Sequence, residues 1–400
     1  MNHSEPDRIP IDFSGHRSSG ISAMAYPKLR AFLGLDPRPI RVYDPIQQLA
    51  IVHDDVLELF GVDTIELGRA FDDDEGMWAD WVLPDGTPCL MPSWVLLDRA
   101  DGGWNVLSSK TGRVIARMPD GAIYLEQTLW PFAEHEDFDN IAGSFSESMW
   151  CALPTPPGPV SRERLIDGAR DLRETSDKAI IGLFGGNFLE VGEFLYGIDK
   201  FMLMLAGEPE KANKFLDKVL ELHLANLEKF LGAVGPYIDI VLFSDDLGGQ
   251  RGPLISPRMY EEFFKPRHNI LWNHAKKLAD VKTLLHCCGG VRELIPHFID
   301  VGLDSFNPVQ INCSRMDPIE LKREYGRDIV FWGGGCDTRD VLPSATPDEV
   351  RRHVRELMEV WSPGGGFVFQ QVHNILADVP PANIAAMFNA INSPALAMAR

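Results

Sequence analysis

From residue 177 onward the chain alternates short β-type runs with longer helical patterns, and this rhythm restricts the fold more than any other feature. Strand and helix in regular alternation give a parallel sheet with helical crossovers. Six runs read as strands, at residues 179–184, 238–243, 281–287, 305–309, 329–333 and 367–372. Helical patterns lie between and after them, at 211–231, 256–278, 291–301, 317–325, 346–361 and 380–391. Ser256-Pro257 and Thr346-Pro347 each set a capping side chain before a proline at the first helical position. Two upstream runs, 9–13 and 64–67, raise the strand count to eight, with helices expected over 25–33 and 48–60.

Eight βα units predict an α/β fold, a (β/α)8 TIM barrel formed by residues 1–400 as one domain. The active site of such a barrel lies at the C-terminal ends of its strands. Residues 77–130 break the rhythm. Trp78, Trp81, Trp94 and Trp104 sit there among turn signals such as Pro84-Asp85-Gly86-Thr87 and Asp101-Gly102-Gly103. Antiparallel hairpins explain that stretch best, as a β-rich insertion that covers the barrel mouth or mediates contact in a homodimer.

Composition narrows the partners. The formal charge of −20, from 58 acidic against 38 basic residues, repels phosphate backbones and anionic membranes, so nucleic acid is excluded as a partner. Cysteines at 89, 151, 287, 288, 313 and 336 show no paired spacing, which suits free thiols in a reducing compartment. The first residues lack the basic and apolar regions of a secretory leader, and no apolar run reaches membrane-spanning length. The expectation is a soluble, cytoplasmic protein with no membrane contact.

Near the end of the fifth strand, His286 and Cys288 stand in H-x-C-G spacing. Strand side chains alternate faces, so the two point the same way with Cα atoms roughly 6–7 Å apart. Imidazole and thiolate are ligands that zinc prefers, and the glycines that follow open a pocket. The same pair also fits a satisfied polar group beside a small packing residue. Other strand ends therefore bear on the choice. The fourth ends in Asp245-Asp246, which alternation sends to opposite faces, one toward catalysis and the other toward anchoring a loop. The sixth supplies Asn307 and Gln310 and the seventh Gly334, candidate contacts for a cofactor where glycine allows close backbone approach. After the eighth, His373 is within reach of His286 and Cys288 across the mouth, with Cys336 as another thiol to consider, while Cys287 faces the helical layer.

His286-x-Cys288-Gly289, the Ser244-Asp245-Asp246-Leu247-Gly248 segment, Ile255-Ser256-Pro257-x-x-Tyr260 and Pro380-Pro381-x-Asn383-Ile384 together resemble the uroporphyrinogen decarboxylase superfamily. The resemblance covers nearly the whole chain outside the insertion, and it implies a TIM barrel. The H-x-C-G pair is similar to the zinc ligands of one branch, methyltransferases that work with a corrinoid protein. Their third ligand is a Cys before the closing helix; the aligned residue here is His373. The resemblance thus implies zinc held by His286, Cys288 and His373, a harder Lewis acid suited to an oxygen-bearing donor.

The decarboxylases themselves carry an R-Q-A-G-R segment after the first strand to hold a polycarboxylate, a task for fixed cations. Here that place reads Asp12-Phe13-Ser14-Gly15-His16-Arg17-Ser18-Ser19-Gly20, with one arginine. The implied function is methyl transfer between a small methylated or methoxylated compound and a corrinoid, with Asp245 or Asp246 managing protons. The corrinoid is expected on a partner protein, because no D-x-H-x-x-G signature occurs in the chain. The alternative is a lyase that decarboxylates a tetrapyrrole or another carboxylated substrate.

Overall fold

The computed structural model describes residues 1–153, 158 and 160–392. Seven parallel strands make one curled sheet: β1 Thr64–Glu66, β2 Ala179–Gly185, β3 Ile240–Ser244, β4 Lys282–His286, β5 Ser305–Asn307, β6 Val330–Trp332 and β7 Phe367–Val368, neighbours in that order. Residues 9–13 close the ring. Phe369 N–H donates to the Pro10 carbonyl and Asp12 N–H to the Phe369 carbonyl, both at 2.8 Å, while Asp63 N–H donates to the Ile11 carbonyl at 2.8 Å. Eight extended segments therefore surround the axis, as the sequence predicts, and His286 ends the fifth.

Strand alternation divides the apolar residues into two cores. Ile181, Ile240, Leu242, Leu284, Val330, Trp332 and Val368 pack together on the inner face. Their neighbours Ile180, Val241, Phe243, Leu285, Phe306, Phe331 and Phe367 belong to the large core shared with the helices. Burial on both faces is why these strands read as continuous apolar runs. Deep in the barrel this inner face also takes in an acid. Asp12, fully buried, accepts hydrogen bonds from Thr64 Oγ1 at 2.7 Å and Trp332 Nε1 at 2.8 Å, and so ties the closing segment to β1 and β6.

Helices α1 Leu189–Tyr196, α2 Pro209–Val234, α3 Lys265–Leu278, α4 Pro347–Trp361 and α5 Pro381–Ile391 lie in the outer layer. The Thr346-Pro347 signal is a capping box, in which Thr346 Oγ1 accepts from Glu349 N–H and Glu349 Oε2 accepts from Thr346 N–H. The helix expected over 256–278 is not uniform. Tyr260–Phe264 winds as a π-turn ahead of α3, because Pro266 has no N–H to continue the regular ladder. Over 48–60 only Asp54–Leu59 is helical, and Leu49–Ala50 instead pairs antiparallel with Val42–Asp44. Asp44 Oδ1 accepts from the N–H groups of Ile46 at 2.9 Å and Gln47 at 3.1 Å, which stabilises a turn in competition with the helix.

Between β1 and β2 the chain leaves the barrel. Trp78–Val82 pairs with Pro88–Pro92, and Leu96–Ala100, Gly103–Leu107, Val114–Pro119 and Glu126–Gln127 form an antiparallel sheet. Val106, Ile115, Ala116 and Met118 give it a core of its own. Short helices Ile141–Phe145 and Met149–Ala152 then lead back toward the barrel mouth.

The closing segment is held from outside by rings. Phe388 of α5 is fully buried, with its ring centroid 4.1 Å from Phe60 and 4.9 Å from Phe13. Phe388→Ala is expected to destabilise the fold by about 3–5 kcal/mol in urea titration, through lost contacts and the cavity left behind. A loss no larger than that of an ordinary surface substitution would contradict a role in holding the ring shut.

Candidate metal centre

β4 turns every second side chain into the barrel, and His286 is the last inward residue of the strand, two beyond Leu284. Gly289 follows at φ +90°, a conformation glycine adopts without strain. A Cβ there would lie 2.2 Å from the Gly248 carbonyl carbon, so the loops after β3 and β4 stack backbone against backbone. Cys288 is held between these points, its Sγ 3.3 Å from His286 Nε2. His373, in the loop after β7, brings its ring centroid within 5.8 Å of that of His286. One ligand atom from each of His286, Cys288 and His373 lies within 4.8 Å of the other two. Tetrahedral zinc, with bonds of about 2.0–2.3 Å, spaces its ligand atoms roughly 3.5 Å apart, so the set needs only a small closing movement.

The direction of the His286 lone pair is fixed by its neighbour. Asn307 Nδ2 donates to the Trp332 carbonyl at 3.1 Å and to Gln370 Oε1 at 2.8 Å, which leaves Asn307 Oδ1 as an acceptor. His286 Nδ1 lies 2.9 Å from that oxygen and donates to it. The unprotonated Nε2 then faces Cys288, in the tautomer a metal requires. Gln370 continues the network: its Oε1 accepts from His16 Nε2 at 3.1 Å, and its Nε2 donates to the Ser18 carbonyl at 2.9 Å. Burial lowers the pKa of His286 and takes that of His373 down to about 3, so both rings are neutral at pH 7. Burial and the Asp246 charge push the Cys288 thiol well above its usual range, an effect a bound cation would reverse.

The two aspartates part as alternation predicts. Asp245 follows the outward parity of Phe243. Fully buried, it accepts from the Leu189 N–H at 2.9 Å and the Glu190 N–H at 3.2 Å at the start of α1, with His268 Nε2 at 3.3 Å. It anchors a helix and does not line the cavity described below. Asp246 follows the inward parity, accepts from Cys288 N–H at 2.7 Å and lies 3.6 Å from His286 Nε2. Gln310 Oε1 accepts from Gly289 N–H at 2.8 Å and so braces the Cys288 loop. Gly334, at φ +76°, packs where a Cβ would meet the Val309 carbonyl oxygen at 2.8 Å. Asn307 and Gln310 thus support His286 and the Cys288 loop, and Gly334 is a packing position. Cys287 is buried on the outer face, accepting from Leu247 N–H at 3.4 Å, and Cys336 is buried outside the cluster.

His286, His373 and Asp246 form one side of a cavity of about 900 Å³ at the barrel mouth. Tyr124 from the hairpin excursion, Phe145 and Trp150 from the helices after it, and Phe184 and Phe194 line its apolar wall. Arg17 lines it as well, donating from Nε to Asp44 Oδ2 at 2.7 Å and lying 4.9 Å from the Trp150 ring centroid. Two acids on the wall went unnoticed in the sequence. Glu66 ends β1, where burial pushes its carboxyl up to about 8. Glu190 begins α1, and burial, then the charges of Asp246 and Asp245, push it well above the carboxylate range. Their signal was available: the rule that strand ends carry chemistry applies to β1 and β2 as it does to β4.

A family model described as uroporphyrinogen decarboxylase (URO-D) matches residues 159–394. A methylated-thiol–coenzyme M methyltransferase of Methanosarcina mazei is 30% identical over 180 residues, 44% of this chain and 44% of that protein. A uroporphyrinogen decarboxylase of Legionella pneumophila is 24% identical over 248 residues, 60% of this chain and 66% of that protein. The chain thus spans less than two thirds of the length of either relative. A solved methyltransferase from Methanosarcina mazei has the same fold, with a TM-score of 0.57 at 17% identity over 97% of this chain and 94% of that one. With the family model covering more than half of its length, the chain belongs to the uroporphyrinogen decarboxylase (URO-D) family.

Proposed function

We propose that the protein is a zinc-dependent methyltransferase that moves a methyl group between a small methylated or methoxylated compound and a corrinoid carried by a partner protein. The convergence of His286, Cys288 and His373, with ligand atoms within 4.8 Å of one another, carries this reading. These three residues would hold the zinc, which when bound polarises the heteroatom bearing the methyl group. Asn307 keeps the proton on His286 Nδ1, and Gln310 and Asp246 hold the backbone on either side of Cys288. The aromatic wall of Tyr124, Phe145, Trp150 and Phe194 suits an apolar or ring-bearing substrate and excludes water from the reacting atoms. The similarity to a methyltransferase supports the same reading.

The decarboxylase relatives keep a second reading in view, and the cavity weighs against it. A polycarboxylate needs several fixed cations, while Arg17 is the single Lys or Arg on the wall among the described residues and already holds Asp44. Glu66, Glu190 and Asp246 share that wall. The reduced corrinoid and the free thiols both suit a cytoplasmic setting.

Two outcomes are expected. Metal analysis by mass spectrometry should find about one zinc per chain in the wild type and Cys287→Ser, and almost none in His286→Ala or Cys288→Ser, since a hydroxyl is a far poorer ligand than thiolate. Equal zinc in Cys287→Ser and Cys288→Ser would refute the ligand assignment. With reduced free cobalamin and a panel of methylated and methoxylated donors, the cobalt absorbance should report methyl uptake that Cys288→Ser abolishes. Loss of carboxylates from uroporphyrinogen, undiminished by Cys288→Ser, would overturn the methyltransferase reading.

A further inference from the structure

We infer that Glu190 is the acid that protonates the atom released when the methyl group leaves the donor; the inference rests on the methyl-transfer reading and deepens it. Glu190 lines the same cavity as Asp246, His286 and His373, in direct contact with Asp246. Its Oε2 is fully engaged as an acceptor: Asn187 Nδ2 donates to it, as do Ser244 Oγ at 3.2 Å and the Asp246 N–H at 3.2 Å. Among the described residues no hydrogen bond engages Oε1. An oxygen with three donors and an oxygen with none describe the two ends of a neutral acid, carbonyl and hydroxyl. The hydroxyl is then the end left to meet a ligand in the cavity.

The surroundings favour that protonation. Three carboxyls, Glu190, Asp245 and Asp246, sit around the start of α1 and the end of β3, with Glu193 one turn further along the helix and His286 at the end of β4 and Cys288 just past it on the other side of Asp246. Asp245 has the α1 N–H groups and His268, and Asp246 has the Cys288 N–H and His286. Among the described residues no Lys or Arg is bonded to Glu190, so the proton goes to the carboxyl that lacks a cationic or imidazole partner. Burial and the two aspartate charges accordingly raise it far above the range of a free glutamate. Asp246 links the acid to the metal residues, since the backbone N–H that meets Glu190 and the carboxylate that meets Cys288 and His286 belong to that one residue.

In the step itself the methyl carbon–oxygen bond of an ether breaks and its electron pair stays on oxygen. The methyl carbon is taken by the electron pair of the acceptor, a reduced corrinoid in the proposed reaction. Glu190 Oε1–H gives its proton to that oxygen, so a neutral alcohol or phenol departs. Glu190 is left as a carboxylate and regains a proton from water before the next turnover.

Two measurements on the protein as isolated decide the matter. Infrared difference spectra of wild type against Glu190→Gln at pH 7 should contain the stretch of a protonated carboxyl, shifted in heavy water. With a series of ring-substituted anisoles and reduced cobalamin, the slowing in Glu190→Gln should grow as the leaving phenol becomes more basic. It should rise from within about threefold for 4-nitroanisole to about a hundredfold or more for anisole, the range of general-acid assistance. Gln keeps an oxygen to accept the three bonds, so it preserves the local structure. Glu193→Gln, at a neighbouring buried acid off the cavity wall, should show no dependence on the leaving group. Uniform slowing across the series, with turnover retained, would overturn the proton-donor role alone. The absence of any protonated-carboxyl band would overturn it whatever the turnover. Absence of methyl uptake from every donor in the wild type would instead fell the methyl-transfer reading, and this role with it.

Discussion

Closure of the sheet is the constraint on which the site depends. His286 ends the fifth extended segment and His373 follows the eighth, and only a ring brings those two strand ends to one point. Residues 9–13 complete the ring with few backbone bonds, and a buried carboxylate completes what those bonds leave unfinished. Asp12 reaches β1 through Thr64, β6 through Trp332 and its own loop through Gly15. A buried acid is costly unless its lone pairs are filled, so this one is stable only with the ring closed around it. His16, within 3.1 Å of Asp12, passes the same constraint on to Gln370, Asn307 and finally His286. The orientation of the His286 imidazole is thereby set by the residue that shuts the barrel.

Much of this was legible in the chain because period-two alternation is a strict geometric rule. The rhythm of strands and helices gave the eight segments, and alternation at their ends sent Asp245 and Asp246 in opposite directions. Alternation also set Cys287 and Cys288, just past the end of β4, in opposite directions although they are adjacent. Where reading failed, the cause was local chemistry that periodicity does not encode. The turn built by Asp44 removed half of an expected helix, and Pro266 changed the winding ahead of α3. Asn307 and Gln310 were legible as residues at strand ends, but not as supports of His286 and Cys288, since that distinction depends on side-chain hydrogen bonds across strands. Glu66, Glu190 and the His16–Gln370 pair were missed because attention fell on strand ends with metal-ligating residue types, while isolated glutamates and glutamines look like ordinary surface residues in a sequence.

The excursion between β1 and β2 makes a cavity out of what would be an open mouth. Barrel strand ends alone would leave His286 and His373 facing water, where an ion pair or a polarised bond is strongly screened. Tyr124, Phe145 and Trp150 are set over the opening by hairpins with their own core and by the helices that follow. The effect reaches the acids: burial is the largest cause of the raised pKa of both Glu66 and Glu190. A cover that is apolar on its inner side therefore does more than admit a ring-shaped ligand; it sets the protonation state of the opposite wall.

A shared barrel does not fix a reaction, so the charge of the cavity wall bears on which ligand it can take. A cavity for a polyanion must supply cations, because several carboxylates crowded into a region of low dielectric repel one another and any fixed acid nearby. Here Glu66, Glu190 and Asp246 line the cavity, and its one described Lys or Arg, Arg17, is paired through Nε with Asp44 and stacked on Trp150, with its buried Nη2 left unpartnered. Bringing in a polycarboxylate would add like charge beside Asp246 and beside two glutamates whose pKa burial already raises. A neutral ligand brings no such repulsion to the side of the cavity where His286, Cys288 and His373 converge.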